Sequence, residues 1–368
     1  VMGDMVIAGF NVEGEHAGVY TFNMKSRAIM TQFEVPDKES RVESLYIDEK
    51  NNTCSAVFNV HESKTSYYLV LHEFDINGEE ISSLKIIPES GKKFNTGKVA
   101  TVRDNVKLVF GTYGLAIGGS IDAKDYFVKE SAGFYTINIT DPANMVLRYQ
   151  NFLDLENMTG YLKSKEYQIA KKKAERKDEE NKEKFSVAYD MLLHDIIERD
   201  SLFYFVGEAF YEDYHTVTNT YYDYYGRAVP VSYSVFDGYR YFNAFISCYD
   251  DQGTKLWDNG MEIFNILSYD LAKRVVVYFT GNETVLAYNR EGKISAKIIE
   301  GPKVIDGVDN FPVETTYVND KVIEDTKSNL MHWYDNYFLA YGFQTIRNNA
   351  LGDRSKRTVF YINKVAFQ

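Results

Sequence analysis

A short turn recurs along this chain, and its recurrence limits the fold more than any average property. It reads aromatic residue, Asp or Asn, two variable residues, then Gly. Copies stand at Phe74-Asp75-Ile76-Asn77-Gly78, Tyr249-Asp250-Asp251-Gln252-Gly253 and Tyr288-Asn289-Arg290-Glu291-Gly292. The Asp or Asn side chain bonds the backbone two residues on, and Gly takes the positive-φ position. Strand-forming residues flank every copy, so each reads as a β-hairpin. Phe22-Asn23, Ile137-Asn138 and Ile362-Asn363 keep the apolar–Asn pair without the Gly.

A second element interleaves with the first. Asp104-Asn105 leads over five residues to Gly111, Asp200-Ser201 to Gly207, and Asp335-Asn336 to Gly342. Lys107 is the only charge among those fifteen intervening residues, so each stretch reads as a turn feeding a buried strand that ends at Gly. One unit is then strand, turn, strand, variable loop, strand, Asx turn, strand. Six Asx turns give about six four-stranded antiparallel units. No such sheet can cover both its faces alone, so neighbours must stack. The expected fold is all-β and β-propeller-like, with a pair of large β-sandwiches as the alternative. The first unit lacks its initial strand and the last its fourth. The aromatic content agrees: 30 Tyr and 24 Phe against 6 Pro suit strands better than helices.

Residues 1–368 are expected to form a single domain with a charged helical insertion at 159–190. Lys163 to Lys184 is charged at fifteen of twenty-two positions, with mixed signs and no Gly or Pro, the pattern of a solvated helix. Strand is expected to resume from about Asp190.

The net charge of −12 disfavours a nucleic-acid partner. No apolar run is long enough for a membrane-spanning helix. The two cysteines exclude a disulfide framework. Strand alternation places Cys54 with Ala56 and Phe58, and Cys248 with Ala244 and Ile246, so both read as small buried hydrophobes. The chain starts at Val1 with no visible leader, which suggests a trimmed product.

Motifs of familiar chemistry are missing. His16, His61, His72, His194, His215 and His332 have no metal-ligand spacing, and Asp75-Ile76-Asn77-Gly78 starts like a calcium loop without completing one. Neither metal nor cofactor is expected. Gly111-Thr112-Tyr113-Gly114 reads as loop glycines. Glu62, Glu73, Glu208, Asp213 and Asp237 are acids that a propeller could gather, as glycoside hydrolysis needs two carboxyl groups about 5–10 Å apart.

The most unusual segment is Tyr211 to Tyr241, with nine tyrosines. It reads as an extended hairpin, Thr218 to Tyr225 and Val229 to Phe236, joined near Gly226. Tyrosine offers large contact area at low entropic cost. Tyr221, Tyr222, Tyr224, Tyr225, Arg227, His215 and Glu208 are therefore the expected ligand-binding residues.

Leu193-His194-Asp195-Ile196 with Phe205-Val206-Gly207-Glu208, and Tyr341-Gly342-Phe343 with Val359-Phe360-Tyr361, resemble an uncharacterised family of exported β-propeller-like proteins from Bacteroidetes-type bacteria. The resemblance implies a periplasmic or cell-surface location and carries no established activity. Taken together, these readings favour a non-catalytic envelope protein that binds a glycan or a protein through the Tyr-rich loop, more a binder than an enzyme, its oligomeric state open. The alternative is a glycan-active hydrolase with carboxylates from several blades.

Overall fold

Among the described residues, period-two patterning becomes six antiparallel sheets. A computed structural model describes residues 3–12, 14–35, 39–102, 106–116, 121, 130–155, 189–315, 317, 319–348 and 356–367. Sheet 1 holds β1 (Met5–Asn11), β2 (Ala17–Asn23) and β3 (Ala28–Glu34). Sheet 2 holds β4 (Glu39–Asp48), β5 (Thr53–Ser63), β6 (Ser66–Asp75) and β7 (Glu80–Ile86). In sheet 3, β8 (Lys92–Phe94) and β9 (Lys98–Val102) both pair with β10 (Val106–Leu115), followed by β11 (Gly133–Asn138) and β12 (Val146–Asn151). Sheet 4 has the same plan: β13 (Asp190–Leu193) and β14 (Ile197–Arg199) on β15 (Leu202–Tyr222), then β16 (Ala228–Tyr249) and β17 (Lys255–Ser268). Sheet 5 is β18 (Val276–Thr280), β19 (Glu283–Arg290), β20 (Lys293–Glu300) and β21 (Lys303–Pro312). Sheet 6 is β22 (Asp320–Tyr334), β23 (Tyr337–Asn348) and β24 (Arg357–Ala366).

The chain is thus all-β and propeller-like in organisation, and among the described residues its first and last sheets are the three-stranded ones, as the repeat indicates. By compactness it divides into two units, Val1–Val206 with Ile246–Asp258, and Gly207–Phe245 with Asn259–Gln368. Up to residue 188 the expected helical insertion lies outside the described residues. Its last two residues are extended, not helical: Tyr189 bridges Ser131 and Asp190 opens β13, because β15 needs a partner there.

Within each unit, neighbouring sheets bury apolar faces against one another. In the first unit β5 is sandwiched. Cys54, Ala56, Phe58 and Val60 pack with Met5 and Val19 of sheet 1, while Val57 points the other way, toward Phe94, Val109 and Ile137 of sheet 3. A strand buried on both faces loses its polar alternation, which explains the unbroken Cys54–Val60 burial. Burial also pushes the Cys54 thiol up to about 11, and both cysteines are free and buried. In the second unit sheets 5 and 6 enclose Val285, Ala287, Ile294, Leu330, Phe338 and Tyr361. Each large apolar side chain so buried contributes roughly 1.5–3 kcal/mol.

The repeated turns resolve into two kinds. At Asp75 the carboxylate accepts the N–H of Asn77 and Glu79, and Gly78 donates to the Asp75 carbonyl; Asp250 and Gly253 do the same. The third copy differs: Glu291 (φ 51°) and Gly292 (φ 69°) form a two-residue turn, and Asn289 is buried. Its amide instead crosses to Asn329 and Tyr361 on sheet 6. Glycines expected to end strands lie inside them. Gly111 sits opposite Tyr135 and Gly342 opposite Tyr361, and a Cβ at Gly111 would stand 2.1 Å from the Thr96 carbonyl. Close approach, not strand termination, fixes glycine there. The supposed loop 111–114 is likewise part of β10.

The Asx-turn glycines also dock sheets together. Thr31 Oγ1 donates to the Gly78 carbonyl at 2.5 Å and Thr136 Oγ1 to that of Gly253 at 2.7 Å. A Cβ at Gly78 would lie 2.4 Å from Thr21 Oγ1, whereas one at Gly226 would meet nothing within 4 Å, although both have positive φ. Gly226→Ala is therefore expected to cost about 1 kcal/mol of backbone strain alone. Gly78→Ala should cost at least about 2 kcal/mol more through lost packing. Urea unfolding of the two variants checks this, and equal losses would show that the docking contributes nothing.

Candidate functional site

The Tyr-rich segment is a long hairpin. β15 is buried from Val206 to Phe210, and its side chains beyond Tyr211 are almost all exposed on both faces. The hairpin turns through Tyr222-Asp223-Tyr224-Tyr225-Gly226. Asp223 accepts the N–H of Tyr225 and Arg227, and Gly226 donates to its carbonyl, as at Asp75 and Asp250. This is a further copy of the recurring turn, and the sequence pattern fits it in full.

The seven expected ligand-binding residues do not form one site. Tyr221, Tyr222, Tyr224 and Tyr225 cluster at the tip, 58–97% exposed, with Arg227 over the Tyr225 ring at 5.5 Å. His215 lies six residues below Tyr221, about 20 Å along the strand. Glu208 lies seven residues further down and is wholly buried. Its carboxylate accepts the Arg274 N–H through both oxygens at 2.9 Å and the Val275 N–H at 3.0 Å. Glu208 is thus a structural acceptor and drops out of the ligand-binding set.

The other acids are placed as follows. Glu73 pairs with Lys107 at 2.6 Å in the first unit, and Glu62 lies between Ser66 and Lys85. Asp213 and Asp237 both lie on the hairpin stem, one on each strand. Arg240 Nε and Nη2 both donate to Asp213 Oδ2, at 2.7 and 2.5 Å. His215 Nδ1 meets Asp237 Oδ1 at 2.7 Å. Asp213 Oδ1 and Asp237 Oδ2 have no protein hydrogen-bond partner among the described residues. Both carboxylates are partly open, at 26% and 29% exposure.

Backbone geometry places the two pairs. Asp213 and His215 are two apart on β15, so both side chains leave the same face about 6.6 Å apart. Their partners Arg240 and Asp237 are three apart, which on regular strand would put them on opposite faces. Gly238 intervenes at φ 134°. A Cβ there would stand 2.8 Å from the Ser268 carbonyl. Tyr211, 45% exposed, is on the Asp213 face one step nearer the core. On the other face Tyr214, Phe236, Tyr239 and Tyr269 make an aromatic cluster with centroids 5.2–6.4 Å apart. Glu212 accepts the Tyr214 hydroxyl at 2.5 Å and holds that phenol above its usual range.

Other titratable groups serve packing. His72 sits among Phe33, Phe58 and Phe74 beside Glu80, and burial lowers it against that carboxylate. Among the described residues no three His, Cys, Asp or Glu side chains gather as a metal site, and no helix is long and apolar enough to cross a membrane. Lys297 is buried on β20, donating to Asn259 Oδ1 at 2.9 Å and to the Gly260 carbonyl, and burial lowers it from 10.5 to about 8. Between pH 8 and 10.5 the unfolded chain then binds more protons at this site than the folded one. Stability should rise with pH across that window, and the rise should vanish in Lys297→Met. Urea midpoints at pH 8, 9 and 10 measure it.

No family model and no curated protein matches this chain. Solved structures do. An alpha-L-arabinofuranosidase from Fusarium graminearum is 8% identical, covering 98% of this chain and 89% of its own, with TM-score 0.38. A Penicillium chrysogenum alpha-L-arabinanase is 9% identical, covering 98% and 89%, with TM-score 0.39. A GH43 beta-1,3-galactosidase is 12% identical, covering 99% and 72%, with TM-score 0.34. All three are named as glycan-active enzymes. These neighbours run counter to the expectation of a non-catalytic binding protein, more a binder than an enzyme.

Proposed function

We propose that this chain is a glycan-active hydrolase whose acid–base pair is Asp213 and Asp237 on the β15–β16 stem. One observation carries the reading. Two partly open carboxylates are each anchored through one oxygen from the opposite strand, and each keeps the other oxygen available. Asp213 and His215, the residue that holds Asp237, are about 6.6 Å apart along β15, and glycoside hydrolysis uses two carboxyl groups about 5–10 Å apart.

Partner chemistry divides the labour. A guanidinium only donates, so Arg240 holds Asp213 as an acceptor, suited to drawing a proton from water. An imidazole nitrogen can donate or accept, so the His215–Asp237 pair can carry a proton and release it. In the step, Asp237 protonates the leaving glycosidic oxygen as its bond to the anomeric carbon breaks. Water bonds that carbon, and its proton passes to Asp213. Tyr211 stands beside this pair as an apolar surface for a sugar ring, and the tip tyrosines are a more distant contact for a long chain. Export to the periplasm or cell surface, where polysaccharide is met, accords with the resemblance drawn from Leu193–Ile196 and Tyr341–Phe343.

The test is release of reducing ends from a panel of soluble polysaccharides. Release from at least one by wild type, absent with the Asp213→Asn/Asp237→Asn double variant, supports the reading. Equal release by both proteins would place the chemistry elsewhere.

A further inference from the structure

The β22–β23 turn of sheet 6 carries a second group of exposed aromatic side chains, about which the stem says nothing. Asp335 adopts φ 51°, so Tyr334 and Tyr337 pair directly across the turn with centroids 5.1 Å apart. Trp333 packs edge-on against Tyr334 at 4.6 Å and is 51% exposed. On the far side of β23, Lys364 pairs with Leu339, one step along from Tyr337. That register brings its ammonium over the Tyr337 ring at 3.5 Å, with the Tyr334 and Trp333 rings at 5.4 and 5.8 Å.

Lys364 donates to Tyr334 Oη at 3.2 Å and makes no ion pair or other hydrogen bond among the described residues. Two of its three N–H donors remain, and so does the Trp333 indole N–H. In a chain with net charge −12, this is a cation without a carboxylate partner among the described residues, beside a half-exposed indole. The ammonium fills the aromatic recess, so a ligand cation would be repelled. An anionic group on a molecule with an apolar ring face would be welcomed.

We propose that Trp333, Tyr334, Tyr337 and Lys364 form an acidic-sugar subsite, in which a uronate ring stacks on Trp333 and its carboxylate takes the Lys364 ammonium. The assignment of a sugar rests on the hydrolase reading above; the preference for an anion rests on Lys364. If both hold, the substrate is an acidic polysaccharide.

Trp333 reports on itself, because the chain has only one other tryptophan, Trp257. In a Trp257→Phe background, indole emission is titrated with an oligogalacturonate and with a neutral xylo-oligosaccharide of equal length. The expected result is a saturable change with the uronate alone, weakened about tenfold or more by Lys364→Met, the loss of one charge-assisted contact. No saturable change with the uronate overturns the proposal. So does an equal response to the neutral sugar, or an unaltered response in Lys364→Met. Reducing-end release is followed in parallel. A Trp333 response without cleavage would leave the subsite standing and remove the hydrolase; cleavage without a Trp333 response would do the reverse.

Discussion

Asp237→Asn and Asp213→Asn are each expected to lower kcat on a cleaved polysaccharide by about a thousandfold, the middle of the range for general acid–base groups. The two should differ in character. Asn at 213 can still accept from Arg240, so the stem keeps its geometry but loses the base. Asn at 237 can still bond His215 but holds no proton for the leaving oxygen. His215→Ala removes only the positioning of Asp237, so a smaller fall of about ten- to a hundredfold is expected, with KM little changed. None of these side chains is buried, so thermal midpoints should stay within about 2 °C of wild type, as surface changes usually do. Tyr224→Ala/Tyr225→Ala at the tip, about 20 Å or more from the acids, should raise KM on long polymers and leave short oligosaccharides unaffected. A thousandfold loss from the tip variant with none from the aspartates would move the active groups to the tip.

Glu208→Ala is expected to be the most damaging single change to stability. Glu208 is fully buried, and three hydrogen bonds from the Arg274 and Val275 N–H groups end on its carboxylate. Those donors lie just before β18, whose ladder begins where Val276 pairs with Ala287. Truncation to Ala orphans both and opens a cavity, a loss of about 3–5 kcal/mol. Glu208→Gln keeps one acceptor oxygen but brings an amide donor into the same space, at about 1–3 kcal/mol. Urea unfolding should order the proteins wild type, Gln, Ala. An Ala variant as stable as wild type would mean that the buried carboxylate is replaceable by solvent.

The contrast between these residues shows what the sequence could tell. Turn chemistry is local, so the hairpin, its tip near Gly226 and the three-stranded first and last sheets were legible from Asx–Gly spacing. The copy at Asp223 followed the same rule and could have been found by applying it there. Asn289 misled because its neighbours Glu291 and Gly292 closed a shorter turn, freeing the side chain for a contact 40 residues away at Asn329. The stem pairs are less accessible still. Asp213–Arg240 and His215–Asp237 span 27 and 22 residues, and a strict alternation cannot satisfy both. Gly238, at φ 134°, lies between Asp237 and Arg240, and nothing in composition or period announces that conformation. Glu208 failed as a ligand residue for a related reason: its burial depends on Arg274 and Val275, more than 60 residues on.

The most direct measurement is product analysis of an acidic and a neutral polysaccharide after incubation with wild-type protein, by chain length and end group. Progressive shortening, with a new saturated reducing-end fragment for every bond broken, is the predicted result. Undegraded polymer on both would contradict the account, as would fragments ending in an unsaturated uronate, which elimination leaves and hydrolysis does not.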